Sequence, residues 1–140
     1  MAPRRPFLLS AVVLAAALAI LAAQGCRAPR SGDAPRSRTP RIAVVPMGTT
    51  HEFWKSVHAG ALTAARELGA EIVWKGPLRE DDRNEQVQIV ETLAGSGIDA
   101  LVLSPLDDRA LLRPVAEARR AGIPTVVFNS ALQGEEHAAF

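Results

Sequence analysis

Two short stretches of this 140-residue chain carry side chains suited to gripping a small polar molecule. One is "HEFW" at residues 51–54, with Phe53 and Trp54 adjacent in a chain that has four Phe, two Trp and no Tyr. The other is "FNS" at residues 128–130. Neighbouring residues on a helix point about 100° apart, so one core-facing stripe cannot bury both rings. A ring left over at a cleft offers a flat apolar surface, and the C–H face of a sugar packs on such a surface. The sugar hydroxyls then need directional partners, which His51 and Asn129 supply because each combines donor and acceptor capacity. Phe53 is in helical register with Val57 and is expected to face the core. Trp54 is expected either at the cleft or as a partly buried surface residue.

Other chemistries lack their residues. A dinucleotide site needs G-x-G-x-x-G after the first strand, where this chain reads "MGTTHE" with one glycine. The "GSG" at 95–97 follows a helix and reads as a helix stop. There is no G-x-S-x-G elbow, and Ser104 is followed by Pro105 with no histidine placed as a general base. His51, His58 and His137 lack metal-ligand spacing. The acidic run Glu80, Asp81 and Asp82 reads as solvated carboxylates plus a helix cap, and Asp107 and Asp108 as caps. Residues 41–140 hold ten basic and fourteen acidic side chains, so the folded part is mildly acidic and unsuited to a nucleic-acid groove. The expectation is therefore a binding protein, not an enzyme, with no cofactor and no metal.

The elements that would position these residues alternate along the chain. Apolar, β-branched runs at 41–46, 71–76, 99–105 and 123–128 read as strands buried on both faces. Between them lie three helical patterns. The first carries Thr49 and Glu52 as a capping box, the stripe Phe53, Val57, Ala61, Ala64 and Leu68, and Gly69 as its stop. The second is capped by Asp82 with Glu85 and buries Val87, Val90 and Ala94. The third is capped by Asp107 or Asp108, and Pro114 kinks it or delays its start. Such alternation implies an α/β fold, an open doubly wound parallel sheet with helices on both faces. Ligands of these sheets bind beyond the carboxyl ends of the strands, the rim that carries both opening motifs.

In order and spacing these stretches resemble the N-terminal lobe of the periplasmic sugar-binding proteins of ABC transporters, the ribose-binding type in particular. "RIAVVPMGTTHEFWKSVHAGALTAARELGAEI" is similar to that family's first strand, polar-aromatic loop and first helix. "EQVQIVETLAGSGIDALVLSPLD", with Gln86, resembles its second helix and third strand, and "AGIPTVVFNSALQG" the segment after its third helix. The resemblance implies two lobes closing on a solute, of which residues 41–140 form a partial N-terminal lobe. A fifth strand and the second lobe would lie outside this chain. It places His51 at a polar sugar contact and Phe53 and Trp54 on the ring-stacking aromatic pair. Asn129 stands where the family has an aspartate, and Ser130 where ribose-type members have an arginine. The implied function is solute capture for an ABC permease, with solute sensing for a chemoreceptor or sensor kinase as the alternative; neighbouring genes discriminate the two.

Residues 1–40 differ in kind, with six arginines against one aspartate. Arg4 and Arg5 precede an apolar stretch at 7–23, and "LAAQGC" ends at Cys26, the sole cysteine. A basic head, an apolar middle and small residues before a cut site read as an export signal. "LAAQGC" resembles a bacterial lipobox, which makes 1–26 a lipoprotein-type signal and Cys26 the lipidated residue; secretion with a free thiol is the alternative. "RRPFL" resembles a twin-arginine signal core, although the general secretion route also accepts such a head. The Pro-, Ser- and Arg-rich residues 27–40 read as a disordered tether, and the whole chain as a cell-envelope protein held to the membrane. Intact-mass measurement of the exported chain should find acyl mass on a new N-terminal Cys26; an unmodified thiol there would remove the anchor.

Overall fold

The computed structural model describes residues 38–139; the signal segment, Cys26 and most of the tether lie outside them. Four strands, β1 (Arg41–Val45), β2 (Glu71–Trp74), β3 (Ala100–Leu103) and β4 (Thr125–Val127), alternate with three helices, α1 (Glu52–Leu68), α2 (Arg83–Ala94) and α3 (Leu112–Arg120). All strand pairs are parallel, in the order β2-β1-β3-β4. This is the doubly wound α/β sheet expected. The order reverses between β1 and β3, which opens a crevice at their carboxyl ends, the usual ligand position in such sheets.

Successive strand residues face opposite sides, so the burial pattern tells which helix covers which face. Ala43, Val45, Leu101, Leu103 and Val127 pack with Ile89, Val90 and Leu93 of α2 and Val115 and Ala118 of α3 in one buried core. Ile42, Val44 and Val102 face α1 on the other side. There the cover is thinner. α1 presents Gly60, Ala61, Ala64 and Ala65 to the sheet, and these small side chains leave an apolar groove of about 360 Å³. Val126 consequently stays 39% exposed.

The caps differ from expectation at two helices, α1 and α3. α1 is capped by His51, whose Nδ1 accepts from the Phe53 amide at 3.2 Å. Thr49 does not cap; its hydroxyl donates to the Pro77 carbonyl at 3.1 Å, and that of Thr50 to the Leu78 carbonyl at 3.1 Å. A threonine that can bond an adjacent loop has no reason to turn back on its own helix. At the other end Gly69 adopts φ 66° and bonds back to Ala65, the left-handed stop expected of glycine. Asp82 caps α2 through the Glu85 amide at 2.9 Å, as expected, whereas the Glu85 carboxylate accepts from the Leu78 amide at 3.4 Å. Asp107 accepts from the Arg109 and Ala110 amides at 2.9 and 2.7 Å. This turn precedes α3, whose start is delayed to Leu112 so that Pro114 falls in the first turn, where its missing N–H costs nothing. The N-cap of α3 is Leu111 with no side-chain bond, so neither Asp107 nor Asp108 caps it.

Order begins before the first strand. Arg38, assigned to the tether from the sequence, grips Asp99 with two nitrogens at 2.8 and 2.9 Å. Asp99 also accepts from the Arg41 amide at 2.8 Å. At the far edge of the sheet, the Val127 amide donates to the Ala139 carbonyl at 2.9 Å, and Val126 bridges Ala139 in parallel. Ala139 thus forms an isolated bridge beside β4.

The two central strands are joined at their carboxyl ends by Gln86, which is fully buried. Its Nε2 donates to the Pro46 carbonyl at 2.9 Å and the Ser104 carbonyl at 2.8 Å. Its Oε1 accepts from the Leu106 amide at 2.8 Å. Backbone groups beyond the last ladder bonds have no strand partner, and one amide side chain satisfies three of them. Gln86→Leu fills the same volume but leaves those three groups unpaired, and it should cost about 3 kcal/mol, read as a fall in the urea midpoint of unfolding.

Candidate functional site

At the carboxyl ends of β1, β3 and β4, Met47, Asn129, Ser104 and Ser130 are linked in a chain of side-chain contacts. His51, at the start of α1, instead lines a neighbouring depression with Thr50, Arg79, Glu80 and Asp81. Asn129 is exposed and adopts φ 65°, the left-handed conformation that asparagine tolerates better than most residues. Its Nδ2 donates to Ser104 Oγ at 3.2 Å and lies 3.4 Å from Met47 Sδ. Both amide hydrogens thus have inward partners, and no group among the described residues engages Oδ1, which remains as an acceptor. Ser130 Oγ donates to the Pro105 carbonyl at 2.7 Å and lies 3.5 Å from Ser104 Oγ. The sequence reading set Ser104 aside for want of a catalytic base. Its signal was different: a polar residue ending an otherwise apolar strand, fully buried, must have a partner.

The aromatic pair is the reverse of the expected one. Trp54 is 2% exposed and belongs to the core, whereas Phe53 is 50% exposed. The residues of α1 that are buried against the sheet side are Trp54 and Ala65, with Ala61 half-buried between them. That spacing of seven and four places residue 54 on the inner stripe and rotates residue 53 about 100° toward solvent. The larger ring goes inside because partners from elsewhere in the chain await it. Its Nε1 donates to Glu80 Oε1 at 2.8 Å. Phe53 meets it edge-on with centroids 4.8 Å apart, and Phe128 does so at 6.3 Å. Phe53, Trp54 and Phe128 therefore form a chain of edge-to-face contacts leading to Asn129, and the exposed end of that chain is Phe53.

Electrostatically the centre of the site is neutral, and charge is confined to its outer rim. Because His51 Nδ1 accepts the capping bond, the ring proton of the neutral imidazole sits on Nε2. Asp107 is held down at about 2 by the backbone amides of Ala110 and Arg109 and by the Arg83 guanidinium, 2.9 Å away. The stability it contributes is complete above its ordinary range and is lost as pH falls toward 2. The acidic run separates into three independent roles: Glu80 on the indole, Asp81 paired with Arg79 at 3.0 Å, and Asp82 capping α2. The arrangement offers a ring, an amide acceptor, two hydroxyls and an imidazole donor, a set for recognition.

Comparison with known proteins places these features in context. The profile of the periplasmic binding protein domain matches residues 42–140. A D-ribose/D-allose-binding protein of Pseudomonas aeruginosa is 38% identical over 121 residues, covering 85% of this chain and 36% of that protein. A xylitol-binding protein of Mycolicibacterium smegmatis is 32% identical over 110 residues, 78% of this chain and 31% of that protein. Among solved structures, a carbohydrate transporter solute-binding protein of Agrobacterium radiobacter in complex with D-arabinose superposes with a TM-score of 0.69 at 30% identity. The match covers 72% of this chain and 34% of that one. The chain spans about a third of the length of these relatives.

The reversed roles of the two rings have a direct consequence for stability. Trp54→Ala should lower stability by about 4 kcal/mol, the cost of emptying a large buried site. Phe53→Ala should cost less than about 1 kcal/mol, as for other exposed positions. Urea unfolding of the two variants side by side measures both; equal losses would show that residue 53 also belongs to the core.

Proposed function

Since this chain belongs to the periplasmic binding protein domain family, we propose that it is the solute-contacting N-terminal lobe of a substrate-binding protein that delivers a sugar or related polyol to an ABC permease. The observation that supports this reading is the linkage of exposed Asn129, half-buried Ser130 and buried Ser104 where the strand order reverses, with half-exposed Phe53 joined to Phe128 through Trp54. Phe53 is the stacking surface. Asn129 Oδ1 accepts a solute hydroxyl, and His51 Nε2–H donates to another. Trp54 acts from behind, as the support of Phe53.

The chemistry of the centre favours a neutral, polyhydroxylated ligand. An aspartate at position 129 would bind hydroxyls by charge-assisted bonds, and an arginine at 130 would add a fork of donors. With Asn129 and Ser130 in their place, neither solute charge is rewarded, and hydroxyl donors and acceptors are matched one by one. The ligands named for the relatives, D-ribose, D-allose, xylitol and D-arabinose, are all of this neutral class. Capture requires no bond making: the solute is held between this lobe and a second one, and closure about the hinge excludes water. Export through the basic, apolar leader and anchoring through lipid on Cys26 would hold the protein at the envelope, beside the permease.

The 140-residue chain spans about a third of its relatives' length, so binding at millimolar solute is the outcome to look for. Titrating the 140-residue chain with D-ribose, D-allose, D-arabinose or xylitol at millimolar concentrations should shift the NMR signals of His51, Phe53, Asn129 and Ser130 and spare those of Leu93 and Val115. Shifts absent from the crevice for all four, or scattered over the surface, would overturn the assignment.

A further inference from the structure

Glu80 lies outside the set just described, on the loop between β2 and α2, yet the geometry ties it to the stacking surface. The Trp54 indole is almost fully buried and its N–H is a donor only, so it needs one acceptor. Glu80 Oε1 is that acceptor at 2.8 Å, and it arrives from 26 residues along the chain. To reach the indole, the Glu80 side chain crosses directly over Gly48. A Cβ on residue 48 would stand 2.7 Å from Glu80 Cγ, so only glycine there lets the carboxylate pass. The loop that carries Glu80 is held over the β1–α1 loop by Thr49 on the Pro77 carbonyl and Thr50 on the Leu78 carbonyl. Glu80 itself stays exposed, and no donor among the described residues engages its second oxygen.

We infer that Glu80 is the positioning residue of the solute platform: its carboxylate fixes the plane of the Trp54 indole, and the indole edge fixes Phe53. The reasoning is geometric. A ring 2% exposed between Phe53 and Phe128 has its rotamer set by packing together with one polar contact, and the N–H bond selects the ring orientation in which both edge-to-face contacts form. Phe53, half in solvent, has the indole as its aromatic neighbour. Without the carboxylate, the buried N–H is left unpaired, the indole samples other orientations, and Phe53 loses its backing. The β2–α2 loop thereby controls a contact surface that it does not itself form. This inference rests on the solute-site reading only for what the platform holds; the coupling of Glu80, Trp54 and Phe53 stands without it.

The experiment uses the full chain carrying Trp74→Phe, so that Trp54 is the single indole. In this background the Nε1–H resonance should be shifted downfield and exchange slowly with solvent. Glu80→Ala should speed that exchange at least tenfold and broaden the Phe53 ring signals. Glu80→Gln, which keeps a carbonyl oxygen at the same reach, should restore both most of the way. Unchanged exchange in Glu80→Ala overturns the proposal, as does a Glu80→Gln chain that behaves like Glu80→Ala. So does a loss of signal dispersion across the whole domain in Glu80→Ala, because Glu80 would then be a general structural residue. Titration with D-ribose separates this from the solute reading. Shifts at Phe53 that shrink in Glu80→Ala while those at Asn129 persist support both; no shift in the parent chain defeats the solute reading while indole exchange still decides on Glu80.

Discussion

A single buried amide holds together the carboxyl ends of the two central strands. In a parallel sheet the strands end without a hairpin to close them, and the backbone groups just past the last ladder bonds need partners. β1 and β3 are adjacent in the sheet but separated in sequence by a helix, a strand and a second helix. Gln86 spans that gap from below, bonding the Pro46 and Ser104 carbonyls and the Leu106 amide. The amide has two donors and an acceptor at one planar tip, which is the inventory the three groups require. The β1 and β3 loops are thereby set at a constant separation, and Asn129 and Ser104 can meet across the crevice.

Above that joint, the site is assembled from contacts made inward. Asn129 uses its donors on Ser104 and Met47, Ser130 uses its hydroxyl on Pro105, His51 uses Nδ1 to cap α1, and Trp54 uses its N–H on Glu80. Each of these side chains has a polar group committed to the protein. A group fixed at one end loses less freedom when it meets a ligand, so the ordering cost is met in folding and not in binding. Apart from the Glu80 carboxylate on the indole, these bonds join neutral groups, and ion pairs such as Arg83–Asp107 lie on the outer loops.

The two faces of the sheet are unequal for a reason visible in composition. α2 and α3 bring Ile, Val and Leu to the sheet, whereas α1 brings mainly glycine and alanine, with Val57 and Leu68. Small side chains let the α1 backbone approach the strands, but they fill little volume, so the groove beside them stays open and Val126 is left in solvent. The two residues of α1 that are buried are Trp54, in its first turn, and Ala65, near the Gly69 stop.

How much of this could be read from residue order follows from the range of the forces involved. The four strands and three helices were legible because apolar runs and helical repeats are local patterns, and the real elements differ from the expected ones by a residue or two at most ends. The glycine stop and the Asp82 cap were legible for the same reason. Helix phase was not. Phe53 with Val57 and Trp54 with Ala61 are both acceptable stripes, and the choice between them is made by Glu80, Phe128 and the sheet, which arrive from distant parts of the chain. Thr49 lost its capping role to a loop carbonyl in the same way. Local order along the chain therefore determined the architecture and the rim on which a ligand would sit. Which ring is buried and which faces solvent was decided only when the strands came together, because a buried N–H must find its acceptor and only the folded chain brings that acceptor near.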